Sequence, residues 1–252
     1  MIKKIISRQN EAVKKVFSLQ SSKGRKKAGH FIAQGVRTCA TLLQSVKLIQ
    51  LYVTEDMLHE GQTLLDTASL SEDNLLTYVS NPIMEKISTT KSSSGIVGVF
   101  KKPKTETQEL GNGLVLARIS DPGNMGTLIR TCAVMNGKSV VVIEGCDPWS
   151  PKVVQATAGT IGAVTVHELS WDELLAKKGD SQLNALVVKG GEKPETMSEK
   201  KKLLVIGNES HGIPTKWVDQ CDAKITLSMP GKTESLNAAV AGSIVLYLAF
   251  AE

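Results

Sequence analysis

From residue 114 onward the chain repeats one pattern: a short, near-continuous apolar run, then a segment with helical spacing, then another apolar run. The runs are Leu114–Ile119, Ser139–Ile143, Ala163–His167, Leu186–Val188, Leu203–Ile206 and Ile225–Leu227, with helical segments at Thr127–Met135, Val153–Thr160, Trp171–Lys177 and Ser235–Phe250 between or after them. Strands apolar on both faces and separated by helices predict a parallel sheet covered on both sides. In such sheets ligands bind in the loops beyond the carboxyl ends of the strands.

A weaker version of the alternation precedes it. Apolar runs at Phe31–Ala33, Leu48–Val53, Leu75–Val79 and Ile96–Phe100 alternate with helical patterns at Val36–Gln44, Met57–Ala68 and Pro82–Ile87. This predicts a smaller α/β domain over residues 1–100. Lys101–Gly113 (KKPKTETQELGNG) is polar and carries no apolar periodicity, as a linker would. The reading is therefore two α/β domains, 1–100 and 114–252, with a linker at 101–113. Ile2–Leu19 is expected to be one helix with a basic face, and Lys23–Lys27 a flexible basic loop.

Charge is unevenly placed. Residues 1–30 hold nine basic side chains against one acid, a net of +8, while the other 222 residues carry 21 basic against 24 acidic groups. Clustered Lys and Arg are rewarded by phosphates through counterion release, so a polyanion partner is one reading and a solvated helix face the other. Cys39, Cys132, Cys146 and Cys221 lie far apart, with no CxxC pair and no Cys/His ligand spacing. Neither a zinc site nor a disulfide framework is expected, which fits a reducing cytosol, and no metal is implied. The longest weakly polar stretch, Ala238–Ala251, is shorter than the ~20 residues that cross a bilayer and reads as a buried helix. No membrane association is expected. Neither GxGxxG after a strand nor GxxxxGK[ST] occurs, so the usual nucleotide fingerprints are absent.

Three loops following predicted strands are rich in Gly, Pro, Asn and charge. DPGNMGTLIR (Asp121–Arg130) leads into a helix whose first turn offers free N–H groups. VIGNESHGIP (Val205–Pro214) places Glu209 at the end of a strand, between glycines. LSMPGKTESLNAAVAG (Leu227–Gly242) turns at Pro230 and Gly231 before Ser235, a natural N-cap.

In this order the three segments resemble motifs one, two and three of the SpoU (TrmH) RNA ribose 2′-O-methyltransferases of the SPOUT superfamily. The stretch SRQNEAVKKVFSLQSSKGRKKAGHFIAQGVR, from Ser7 to Arg37, is similar to the substrate-binding domain of the ribosomal RNA branch. The resemblance implies a C-terminal parallel-sheet α/β domain tied in a deep trefoil knot, S-adenosylmethionine as cofactor, and a homodimer. It implies methylation of a ribose 2′-hydroxyl in ribosomal RNA, with transfer RNA methylation or a non-catalytic RNA-binding assembly or resistance role as the alternatives. Carried over position by position, Arg130 activates the hydroxyl, Asn124 positions substrate or cofactor, Glu209, Ser235 and Asn237 complete the site, and Gly207, Leu227, Met229 and Leu236 hold the cofactor. Lys23, Arg25, Lys26, Lys27 and Arg37 are the expected RNA contacts. The sequence departs from the family pattern at Gln34, where a Glu usually precedes the Gly, and at Leu227–Met229, where Ile-Pro-Met is usual.

Overall fold

The computed structural model describes residues 3–71, 74–89, 93–105, 109–197, 201–231 and 236–250. Its contacts divide the chain into two compact units, Met1–Pro103 with Trp149–Gly162, and Lys104–Pro148 with Ala163–Glu252.

The first unit runs β1 (Lys3–Ile5), α1 (Glu11–Ser18), α2 (Ser22–Ala28), β2 (His30–Gln34), α3 (Val36–Leu43), β3 (Leu48–Val53), α4 (Leu58–Thr67), β4 (Leu76–Val79), α5 (Asn81–Ile87) and β5 (Ile96–Lys101). The sheet order is β1-β4-β3-β5-β2. β1, β4 and β3 are parallel, and β5 runs antiparallel to both β3 and β2. Val13, Val16 and Leu19 from the α1 region and Ile83, Met84 and Ile87 from α5 form one core with Ile32, Val79 and Val97 of the sheet.

Two expectations fail in this unit. The single helix over residues 2–19 is a strand followed by a helix, because Asn10 accepts from the N–H of Ala12 at 2.9 Å and starts α1 there, leaving Ile5 to enter the core from β1. The loop at Lys23–Lys27 is helical. Ser21 caps α2 through the N–H of Gly24 (3.1 Å) and Gly29, at φ +64°, closes it, so two cap residues outweigh the cost of one internal glycine.

The second unit begins with β6 (Gly113–Ala117), α6 (Pro122–Val134) and β7 (Ser139–Ile143). The chain then contributes α7 (Pro151–Ala156) to the first unit and returns with β8 (Thr165–Glu168), α8 (Trp171–Lys177), β9 (Gln182–Leu186), β10 (Lys202–Gly207), α9 (Thr215–Val218), β11 (Ala223–Ile225) and α10 (Ala238–Phe250). All six strands are parallel, in the order β11-β9-β10-β6-β7-β8. Every residue of β6 and β7 is buried, as apolar runs between two helical layers must be. β9 and β11 lie toward the N-terminal side of their expected positions, since Gln182, Asn184 and Lys224 occupy strand positions that apolar patterning passes over.

The segment Trp149–Gly162 was expected within the 114–252 domain, yet it packs in the first unit: Trp149 sits 4.8 Å from Phe31, which in turn stacks on Phe100. A large aromatic finds its burial where a matching surface exists, and periodicity carries no information about which surface that is. No described helix is long and apolar enough to cross a membrane.

Candidate active site

Strand order in the second unit reverses between β6 and β10, which are neighbours with Ala117 opposite Gly207 in register. The crevice beyond their carboxyl ends is the topological switch point of this sheet. Two loops leave from it. After β6, Asp121 caps α6 by accepting from the N–H of Asn124 at 2.8 Å, with Pro122 in the first helical position. After β10, residues 208–212 curl back on themselves, Asn208 and Gly212 exchanging backbone hydrogen bonds of 3.1 and 2.9 Å. A Cβ on Gly207 would stand 2.3 Å from the backbone carbon of Gly212, so the return of this loop demands glycine there.

Glu209 joins the two loops. Its Oε1 accepts from the Asp121 N–H (3.2 Å) and Asn124 Nδ2 (3.0 Å), and its Oε2 from the Ser120 hydroxyl (3.1 Å), the Ser120 N–H (3.4 Å) and Asn208 Nδ2 (3.2 Å). Partial burial would push this carboxyl up. The hydrogen bonds from Asn124, its own loop, Asp121 and Ser120 outweigh burial and hold it below the usual carboxylate range. The third loop enters through Asn237, whose Nδ2 donates to Asn124 Oδ1 at 3.2 Å while its Oδ1 accepts from the N–H groups of Ala239 (2.8 Å) and Val240 (3.3 Å) at the start of α10. Asn124 is thus held at both ends of its amide, nitrogen to Glu209 and oxygen to Asn237.

Beside this chain of bonds lies a cavity of about 380 Å³, walled by residues 186–188 at the end of β9, Ile206–Gly212, and Leu227, Met229, Leu236, Ala238 and Ala241. It is apolar on the side of Leu186, Leu227, Met229 and Leu236, and polar on the side of the 207–212 loop. A small ligand with one apolar and one polar end would fit. All four expected cofactor positions, Gly207, Leu227, Met229 and Leu236, line it. Arg130 is exposed on α6 and takes no part in the Glu209–Asn124–Asn237 chain; it forms no ion pair among the described residues. Ser235 lies outside the described residues.

Among the expected RNA contacts, Lys23, Lys26 and Lys27 lie on α2 and Arg37 is exposed on α3. Lys26 and Lys27 are exposed, and Lys23 also faces solvent. Arg25 is not on the surface. Only 5% exposed, it donates from Nη1 to the carbonyls of Leu19 (2.8 Å) and Gln20 (2.9 Å), because the end of α1 needs a donor and Arg25 is within reach. Gln34 is buried too, accepting from Ser88 at 2.8 Å and donating to the hydroxyl of Thr89, so it serves the first unit internally.

Sequence reasoning missed Asn208 and Arg118. Asn208 Nδ2 also reaches the Arg118 carbonyl (2.9 Å), and its Oδ1 accepts from the N–H groups of Ser210 (2.9 Å) and His211 (3.1 Å), an Asx turn that an Asn at a strand end could have signalled. Arg118, at φ +60°, pairs with Glu144 at 2.6 Å and lies 5.0 Å over the ring of Trp217. Nothing local in the sequence signals that pairing.

Residues 112–247 match the model of the SpoU rRNA methylase family. The chain belongs to that family. Residues 10–98 match the MRM3-like substrate binding domain, so the SpoU methylase domain and the domain ahead of it account for most of the chain. It is 26% identical to an uncharacterized tRNA/rRNA methyltransferase of Synechocystis over 98% of this chain and 93% of the relative. It is 25% identical to RlmP of Bacillus subtilis, a 23S rRNA guanosine 2′-O-methyltransferase, over 98% of each chain. The AdoMet-bound rRNA methyltransferase of Sinorhizobium meliloti superposes with a TM-score of 0.83 at 24% identity, covering 98% of this chain and 97% of that one, which shows a shared fold.

Proposed function

We propose that this SpoU family member transfers a methyl group from S-adenosylmethionine to a ribose 2′-hydroxyl of ribosomal RNA. The observation that carries the reading is the Glu209–Asn124–Asn237 chain, which locks three separate loops around one cavity at the switch point of the sheet. The names of RlmP and of the Streptomyces viridochromogenes 23S rRNA uridine 2′-O-methyltransferase support the substrate class.

The cavity fits the cofactor: Leu227, Met229 and Leu236 would hold the adenine side, and Gly207 with the loop after it the polar remainder. When bound, S-adenosylmethionine supplies an electrophilic methyl group on sulfur. What remains for the protein is to align the hydroxyl and ease its proton away. A guanidinium is no general base; the exposed one of Arg130 is suited to grip a phosphate beside the target ribose and to favour the alkoxide electrostatically. Glu209 receives five hydrogen bonds that all favour its ionised form, which makes it a weak base and a strong tie between loops. Asn124, with both amide ends engaged, orients rather than reacts. Asn237 anchors Asn124 from the start of α10, and the family reading adds Ser235 to the site.

A homodimer belongs to the same reading. α10 exposes Val240, Ile244, Tyr247 and Leu248, an apolar stripe at i, i+4, i+7 and i+8, of the kind that a second copy covers. The trefoil threading of the C-terminal segment and a cytoplasmic place of action come with the family reading. The test is transfer of labelled methyl to unmodified ribosomal RNA, with transfer RNA in parallel and sedimentation for the dimer. Incorporation confined to transfer RNA would move the substrate, and no cofactor binding by calorimetry would sink catalysis in favour of a binding role.

A further inference from the structure

The first unit has a cavity of its own, of about 700 Å³, between α1, α2 and the sheet face formed by β2, β3 and β5. Its floor is apolar and aromatic, with Val16, Ile49, Tyr52 and Val99. Its rim carries Lys15, Lys23 and Lys27, and no carboxylate lines it among the described residues. The three lysines form no ion pair among the described residues, in contrast to Lys14, which is spent on Glu11 at 2.8 Å.

The rim is built rather than accidental. α2 is pressed against the end of α1 so closely that a Cβ on Gly24 would stand 1.9 Å from the Ser18 carbonyl oxygen, and Arg25 clamps the same end through the Leu19 and Gln20 carbonyls. With Arg25 turned inward, Lys23 and Lys27, four residues apart, fall on one face above the cavity. Gln50, also in its wall, gives its amide nitrogen to the Leu75 carbonyl (2.7 Å) and the Thr77 hydroxyl (3.0 Å), which leaves its carbonyl oxygen to accept from a ligand.

A pocket with an apolar and aromatic floor, one free acceptor and three cations at the mouth is complementary to a planar heterocycle carrying N–H donors and linked to phosphates. We infer that this cavity takes one unstacked base of a single-stranded RNA segment, with Lys15, Lys23 and Lys27 on the flanking phosphates. Single-stranded RNA is recognised in this way, by bases turned out onto aromatic and apolar surfaces and phosphates held by cations. The inference rests on the RNA-substrate reading above and assigns a second RNA contact, outside the crevice of the second unit.

The test uses the full chain and two short single-stranded oligoribonucleotides of equal length, one normal and one abasic at its central positions, in fluorescence anisotropy. The normal strand should bind about tenfold more tightly. Ala28→Trp, which fills the mouth from an exposed wall position, should lower the normal strand to the level of the abasic one and leave the abasic strand unchanged. Replacing Lys15, Lys23 and Lys27 together by Ala should weaken both strands and reduce the salt slope by about 2. In the unaltered protein, 4-thiouridine in the normal strand should crosslink to peptides spanning 12–30 or 49–52, a readout independent of any variant. Equal affinity for the two strands, or crosslinks confined to other peptides, overturns the base pocket. If ribosomal RNA is still methylated in that case, only the pocket falls; if the pocket reads positive while no methyl is transferred, only the catalytic reading falls.

Discussion

Polar side chains are used in opposite ways in the two units. Around the crevice of the second unit Glu209, Asn124, Asn237, Asn208 and Ser120 are bonded chiefly to one another and to nearby backbone, and the carboxyl is held ionised by that arrangement. On the α1–α2 face of the first unit Lys15, Lys23 and Lys27 make no ion pair among the described residues and surround an apolar hollow. Methyl transfer depends on geometry, and geometry needs donors and acceptors that already satisfy each other before substrate arrives. Attraction of a phosphate chain depends on charge that no neighbour has neutralised. Arg130 and Arg25 invert this rule within their own units: Arg130 stands exposed on α6 without an ion pair among the described residues, and Arg25 is buried among the lysines of α2.

That inversion offers the sharpest ways to break the comparison. Arg130→Ala should cut methyl transfer by about two to three orders of magnitude with thermal stability unchanged, and Arg130→Lys should not restore it, because a point charge does not replace the guanidinium fork. Kinetics and a melting curve on the same samples decide; near-full activity would remove Arg130 from the reaction. Arg25→Ala should do the reverse, costing about 2 kcal/mol of stability by leaving the Leu19 and Gln20 carbonyls without their buried donor. Lys26→Ala beside it should stay within about 0.5 kcal/mol while weakening RNA binding. Equal stability losses in denaturant titrations would erase the distinction between the two side chains.

Asn237→Ala sharpens the network half. It removes the side-chain acceptor for Ala239 and Val240 and the anchor of Asn124, so a loss of about 1 kcal/mol is expected, together with weaker cofactor binding. A stability loss with cofactor affinity intact would make Asn237 a cap and nothing more. The smallest effect concerns His167, buried in β8 with no hydrogen-bond partner on Nε2 among the described residues. Burial, aided by Lys177, lowers its pKa below the ordinary 6.5, so the folded state prefers the neutral ring. Its contribution is complete above pH 6.5 and is lost as the pH falls from there through the lower folded value. His167→Phe should flatten the melting temperature over that range; an identical pH profile would show that other groups set it.

The candidate site is legible in the sequence to the extent that its chemistry is local. Glu209 after an apolar strand, Asn124 in the first turn of a helix and Asn237 just before another are each readable from strand-loop-helix punctuation, and the order of the three segments joins them to a family. Asn208 escapes notice because it stands between two more conspicuous residues, although its Asx turn is a local event. Arg25 is hidden for the opposite reason. A basic cluster looks uniform in sequence, and which member turns inward depends on where the end of α1 leaves carbonyls without donors. The cap pair Ser21 and Gly29 signals a helix, but Gly24 between them signals a loop, and only the fold shows that its missing side chain serves contact with Ser18 instead of flexibility.

By itself the sequence determined the features that periodicity and residue type dictate: a parallel sheet in the second unit, because strands apolar on both faces can be buried only between helical layers, and loops rich in Gly and Asn at strand ends, because such residues turn tightly at least cost. The tertiary structure alone decided which loops meet. Reversal of strand order between β6 and β10 brings residues 120 and 209 within hydrogen-bonding distance across 89 positions of chain, and the start of α10 brings Asn237 to Asn124 across 113. It also sent Trp149 to Phe31, since burial rewards a matching surface wherever the chain can reach one. Spacing along a chain records local conformation; contact between distant segments is settled by packing, which no short window of residues contains.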